Sequence, residues 1–363
     1  MWIWLIMLLA IFVTWFLIPD DIGKKRKDLI FLSLSFGILV FVVGSRSPHL
    51  SNSTDLYNYF RCFGDALSQP LSYMTEVYKM EEGYLVLNKI LAWMVPWNYF
   101  IIYFEVAFCT AVMFWYIYRN AESVFLAVIA YICLGPWQFF LTGFRQSFAI
   151  CICFIAFELI KKHHLVYDLI ALGLIALAAA LHVTAWVFLF VFLLRSVNVT
   201  KRVVIYATIL TVFLFFTFED FLVFGNDMLG REYTDTYYGN VFAGLIPIIA
   251  YIGTFVLCYL IWTWDKTHLE QNRFEIVMLI VGLCIYVIRY KLLVMERISF
   301  YFTPVISVTL TNAITRQRTK KVSNVVYAIT TALCAALFLY RTFTQYGEYH
   351  FYWEYLEGLR ITA

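Results

Sequence analysis

The stretch "FLTGFRQSFAICICFIAFELIKK", residues 140–162, poses the question on which the fold turns. From Phe144 to Ile160 it is apolar enough to enter a membrane as a helix, yet Arg145 and Gln146 stand near its start. An arginine at the centre of a bilayer costs on the order of 2.5–3.5 kcal/mol even on insertion scales, so it is kept only where it is solvated or paired. Arg145 is therefore expected to meet water or a counter-charge at one end of its helix.

The rest of the chain agrees with a membrane setting. Its 363 residues are 63% hydrophobic and 14% charged, against roughly 25% charged in soluble domains, and the mean hydropathy is +0.77. Apolar runs of about 20 residues, enough to span as helices, recur throughout. The expected fold is an all-α polytopic membrane protein forming one integral membrane domain over 1–363. The first run, "MWIWLIMLLAIFVTWFLIP", lacks a basic leading region and a small-residue cleavage site, and reads as a retained helix. Cysteines such as Cys109, Cys133, Cys151, Cys153, Cys258, Cys284 and Cys334 lie inside apolar runs, and no C-x-x-C occurs. They read as packing residues, without a disulfide framework or zinc site. A formal charge of +3, with no basic block that looks like a nucleic-acid surface, argues against a nucleic-acid partner.

Basic residues set orientation. With "GKKRK" (23–27) inside, alternation places Arg119, Lys161, Lys162, Arg195, Lys201, Arg202, Lys266, Arg273, Arg316, Arg318, Lys320 and Lys321 inside as well. Twelve spans follow, near 1–18, 29–44, 98–118, 122–141, 143–160, 165–181, 183–195, 203–217, 243–264, 274–290, 297–314 and 322–340. Both termini are then outside, as are the loops 45–97 and 218–242 and the tail 341–363. Two spans within 165–195 must each be short of the ~30 Å hydrocarbon core, so a broken pair is expected at "ALHVTAW" (180–186). That break sinks His182 below the surface, where irregular backbone must line a cavity or be buried in protein. Arg145 and His182 would then share one outward-opening pocket.

The outer segments are rich in tyrosine, acids and arginine, and 84–95 reads as a half-span dipping toward the membrane. Tyr57, Tyr59, Tyr84, Gln146, Tyr233, Tyr237 and Tyr238 are the candidate sugar contacts: rings pack on the apolar faces of sugars and amides orient hydroxyls. Arg46, Arg145, Arg289 and Arg297 lie at or just within outer helix ends. Arginine suits bidentate recognition of phosphate oxygens, which points to an anionic ligand such as a pyrophosphate. Asp55, Glu82 and His182 are alternative proton acceptors, left open at this stage. There is no glycine-rich phosphate loop, H-E-x-x-H or paired D-x-D, so neither a metal nor another cofactor is expected.

Five segments together resemble a known family: "SRSP…STDLYNYF" (45–60), "EEGYLVLNKI" (81–90), "FRQSFAICICFIAFELIKKH" (144–163), "ALHVTAWVF" (180–188) and "ERISFYF" (296–302). Their order and spacing resemble the EpsG-like branch of the Wzy-type polymerases of bacterial O-antigen and capsule. The F-R-Q-x-x-A helix start and the run ending in His-x-Thr-Ala are the most specific pieces. The resemblance implies a multi-pass enzyme of the bacterial cytoplasmic (inner) membrane with its active site facing outward. Such an enzyme moves a glycan from undecaprenyl pyrophosphate onto a new lipid-linked repeat unit, without nucleotide sugar or metal. It also implies a repeat-unit flippase and a chain-length regulator as partners. The rival readings are a ligase-type glycosyltransferase, a membrane acyltransferase and a lipid-linked oligosaccharide flippase or transporter.

Overall fold

The computed structural model describes residues 2–50, 54–134, 136–229, 249, 252, 253, 256, 270–290, 294–315, 320–344 and 348–355. Tyr233, Tyr237 and Tyr238 and most of the expected span 243–264 lie outside these residues. Among the described residues the regular structure is helical, with one isolated antiparallel bridge between Arg46 and Phe351. Lys24–Gly44, Phe100–Asn120 and Asn324–Thr344 are long and apolar enough to cross a membrane. Trp2–Leu17, Val124–Leu134, Leu165–Leu181 and Val183–Leu194 are shorter apolar helices.

The chain forms two compact units. The first comprises 1–120, 124–186 and 330–363, and the second 121–123 and 187–329. Helices of the first unit are α1 (Trp2–Leu17), α2 (Lys24–Gly44), α3 (Thr54–Asp65), α4 (Leu71–Tyr78), α5 (Glu82–Met94), α6 (Phe100–Asn120), α7 (Val124–Leu134), α8 (Pro136–Phe140), α9 (Phe144–Ile160) and α10 (Leu165–Leu181). α9, the helix of the opening question, is buried nearly all round: Phe148, Ala149, Ile150, Cys151, Cys153, Phe154, Ala156 and Phe157 are enclosed. A helix that is apolar on every face belongs in the middle of a bundle. It packs on α6 and α10, and α10 turns small residues inward, Ala171, Ala178 and Ala179, while Leu165, Leu169 and Leu177 face out. Small residues at such contacts let helix backbones approach in a membrane, where Leu gains nothing by leaving lipid.

The helix ends sort as the charge pattern requires. Arg119 and Asn120, ending α6, meet Glu158 near the end of α9, so these two helices run parallel. At the opposite end Ser45, after α2, shares a hydrogen bond of 2.7 Å with Tyr103 at the start of α6. His182, after α10, lies at that same end, beside the residue that precedes α5.

In the second unit are α11 (Val191–Leu194), α12 (Lys201–Leu229), α13 (Arg273–Ile288), α14 (Val294–Ser299) and α15 (Ile306–Thr315); α16 (Lys320–Thr344) begins there and ends in the first unit. Three expected spans change form. The span 122–141 divides into α7 and α8 at Pro136, and 297–314 divides into α14, a turn, a 3-10 segment Thr303–Val305 and α15, with Pro304 in that segment. Proline removes a helical donor and clashes with the preceding turn. α12 continues to Leu229, so 218–229 is helical where a loop was expected. The break at 182 is present: α10 ends, His182 is extended at φ −156° and ψ 114°, and a 3-10 helix runs from Val183 to Phe190.

Candidate functional site

Glycine decides where the site forms. A Cβ at Gly83 would lie 2.4 Å from the Ala180 carbonyl oxygen, so only glycine lets the first turn of α5 rest on the last turn of α10. That contact sets Glu81, the residue before α5, beside His182, the residue after α10. His182 Nδ1 lies 2.7 Å from Glu81 Oε1, and Val183 N donates to the same oxygen at 3.3 Å. The other carboxylate oxygen, Oε2, accepts from Arg145 Nη1. One carboxylate thus joins the ends of three helices, and each of the three side chains stays partly exposed, at 19–25%.

The electrostatics assign roles. Burial pushes the Glu81 carboxyl up, but the His182 hydrogen bond and the Arg145 charge outweigh it and hold the group down at about 2. Glu81 is therefore ionised at neutral pH and can only accept, so the proton of the 2.7 Å contact belongs to His182 Nδ1. A neutral ring then carries its lone pair on Nε2. Arg145 stands in the first turn of α9, at the helix end that favours anions. Its Nε is buried and finds no hydrogen-bond partner in the structure. Tyr59 also hydrogen-bonds Arg145 and stacks on Phe144 with ring centroids 4.9 Å apart. A cation and a helix N-terminus together make a place for a negatively charged group, with a histidine nitrogen nearby.

Of the residues expected from sequence, Arg145, His182 and Tyr59 come together, and Glu81 was missed. The signal was the doublet Glu81-Glu82, which names two acids without saying which faces Arg145 and His182. Glu82 is the first residue of α5 and is exposed, as is Asp55 in the first turn of α3. Tyr84 is fully buried, set edge-on to Tyr59 at 5.6 Å, and so backs the site instead of reaching into it. Gln146 is buried within α9, while Tyr57 is exposed on the opposite face of α3 from Tyr59. Arg46 is buried and gives its donors to the carbonyls of Val43 and Leu141 at 2.9 and 3.0 Å. Burial pulls it down to about 10, which leaves it a cation at neutral pH. In the second unit Arg289 pairs with Glu296 at 2.9 Å and donates to Tyr286 Oη, and Arg297 lies in the last turn of α14. Among the described residues no group of three His, Cys, Asp or Glu side chains is placed to hold a metal ion.

A helical membrane protein with an arginine, a carboxylate and a histidine joined at its helix ends is the class defined so far. Comparison with protein families matches residues 29–356 to the EpsG family, and the chain belongs to that family. The family consists of membrane proteins with a polysaccharide-polymerase-like glycosyltransferase role. Comparisons with curated proteins and with solved structures gave no match.

Proposed function

We propose that this protein extends a bacterial surface polysaccharide by transferring an undecaprenyl-pyrophosphate-linked glycan onto a lipid-linked repeat unit at the outer face of the cytoplasmic membrane. The observation that carries the reading is Glu81, which binds Arg145 through one oxygen and His182 through the other. An acceptor hydroxyl oxygen bonds to the anomeric carbon of the donor glycan while the bond from that carbon to pyrophosphate breaks. His182 Nε2 takes the hydroxyl proton. The departing pyrophosphate keeps the bonding electrons, and Arg145 with the α9 N-terminus stabilises its growing charge. Glu81 keeps Nδ1 protonated and aims the ring, the part a buried carboxylate plays beside a catalytic histidine elsewhere.

The pyrophosphate-linked lipid is already an activated donor, so no nucleotide sugar or metal enters the scheme. A repeat-unit flippase would supply the substrate and a chain-length regulator would bound the product. The test is a gel of lipid-linked glycan after purified protein meets its native pyrophosphate-linked repeat unit, with and without a chelator. A ladder that needs Arg145 and survives chelation is expected. Transfer to a different acceptor without a ladder would replace this reading by a ligase, and no transfer by folded protein would overturn both.

A further inference from the structure

Lys89 is a cation in the segment "EEGYLVLNKI" that the transfer scheme leaves unused. It is half-buried in α5, and its Nζ donates to Ala66 O at 2.8 Å and to Gln69 O at 2.6 Å. Both carbonyls belong to the turn that follows α3, whose last residue is Asp65. The amides of that turn fold back onto α3: Ala66 N donates to Phe63 O at 3.2 Å, and Ser68 N and Gln69 N donate to Asp65 O at 3.2 and 2.9 Å. A lysine at a helix C-terminus satisfies carbonyls that the helix leaves over, and the dipole there favours its charge. α4 closes the same corner, since Tyr78, its last residue, donates its hydroxyl to Asp65 Oδ2 at 2.6 Å.

α3 and α5 both supply partners to the arginine of the site. Glu81, the residue before α5, accepts from Arg145. Tyr59 of α3 hydrogen-bonds the same guanidinium, and its ring lies nearly parallel to that of Phe144, at 7°. The two helices pack on each other, with Tyr59 edge-on to Tyr84 of α5. α5 is already seated on α10 by the close approach of Gly83 to Ala180, so α3 is the helix whose place depends on Lys89. We propose that Lys89 is a positioning residue: its two hydrogen bonds lock the end of α3 onto α5 and thereby hold the Tyr59 hydroxyl, one to two turns back along α3, on Arg145. A helix carries such a hold because Ala66 and Tyr59 are only about 10 Å apart along its axis. The catalytic half of the inference rests on Arg145 as the donor-binding cation; the clamp itself does not.

Amide hydrogen exchange of the full-length protein in lipid nanodiscs reads the clamp without any substrate. Lys89→Met keeps the apolar stem and loses the donors, and is expected to raise exchange of the 66–69 amides roughly 10-fold by local opening. Lys89→Arg keeps the charge and the donors and should stay within about 3-fold of the parent. Lys89→Gln, with a neutral donor, should fall between them and carries the test should Lys89→Met fail to fold. In transfer assays Lys89→Met is expected to lower kcat roughly 10-fold, as a displaced group in a site can, and Lys89→Arg to retain most of the rate. In a Tyr59→Phe background Lys89→Met should cost less than about 2-fold more, because residues acting through one contact are not additive. Unchanged exchange in natively eluting Lys89→Met and Lys89→Gln proteins would overturn the clamp. An undiminished loss of kcat in the Tyr59→Phe background would overturn the positioning role. Faster exchange in a protein whose parent makes no polymer would keep the clamp and defeat the proposed activity.

Discussion

The two ends of α9 carry nearly the same charges to different effect. Near its C-terminus Glu158 accepts from Arg119 Nε at 3.2 Å, Asn120 Nδ2 at 3.0 Å and Lys161 Nζ at 2.9 Å. Lys161 Nζ also donates to Asn120 Oδ1 at 2.6 Å, which closes the cluster. Lys161 sits where the helix dipole favours a cation. At the other end Arg145 sits where the dipole opposes it, its Nε finds no acceptor, and the second partner of Glu81 is a histidine that can gain or lose a proton. A carboxylate whose neighbours satisfy one another ties helices together. A carboxylate shared between an under-satisfied arginine and a titratable ring leaves bonding capacity for a ligand.

That contrast can be broken most directly at Arg145. Arg145→Ala is expected to reduce polymer formation about 10³-fold at normal protein levels, the scale of losing a charge-stabilising group in a transition state. His182→Ala should lose about 10²-fold or more as the proton acceptor goes. Both are read from glycan ladders normalised to folded protein. Equal and mild losses would place Arg145 with the structural charges at the other end.

Gly83→Ala tests the backbone contact behind the site. The added methyl collides with Ala180 O, which costs about 1–3 kcal/mol if the helices must part. Because the parting moves Glu81 away from His182, activity is expected to fall more than thermal stability.

At the opposite end the pattern should invert. Glu158→Ala leaves Lys161 and Arg119 without their shared acid. The half-exposed Arg119 regains water, so the expected loss is about 2–3 kcal/mol, at or below the low end for a fully buried pair. A lower Tm with near-normal transfer per folded molecule would mark Glu158 as structural.

Acid titration gives a smaller and sharper signal. Glu81 is held at about 2 in the folded protein against an ordinary value of 4.5, so between these values the unfolded chain binds more protons and stability rises with pH. Its contribution is complete above about pH 4.5 and fades as pH falls toward 2. Glu81→Gln should flatten that part of a Tm-against-pH curve and lower the curve above it without changing its shape. The least effect is expected from Glu82→Gln, within about 2-fold of wild type, as for most exposed positions; a large loss would return the base role to Glu82.

Much of this was legible in the chain. Long apolar runs and the placement of basic residues marked a helical membrane protein. The break at His182 followed from the shortness of 165–195, and an intramembrane-end arginine was conspicuous because lipid makes it expensive. Pro136 and Pro304 were equally visible, yet the spans around them were drawn unbroken because hydropathy averages over a proline that the backbone cannot ignore.

Hydropathy and charge act locally, along the chain, and so the apolar segments, their ends and the unusual position of Arg145 could be read there. Which of two adjacent acids meets His182 depends on a glycine in α5 lying against a carbonyl of α10, nearly a hundred residues later in sequence. Whether Arg46 faces a ligand or the backbone depends on where the Leu141 carbonyl is packed. Those choices are made by distances between helices far apart in the chain, which only the folded bundle sets.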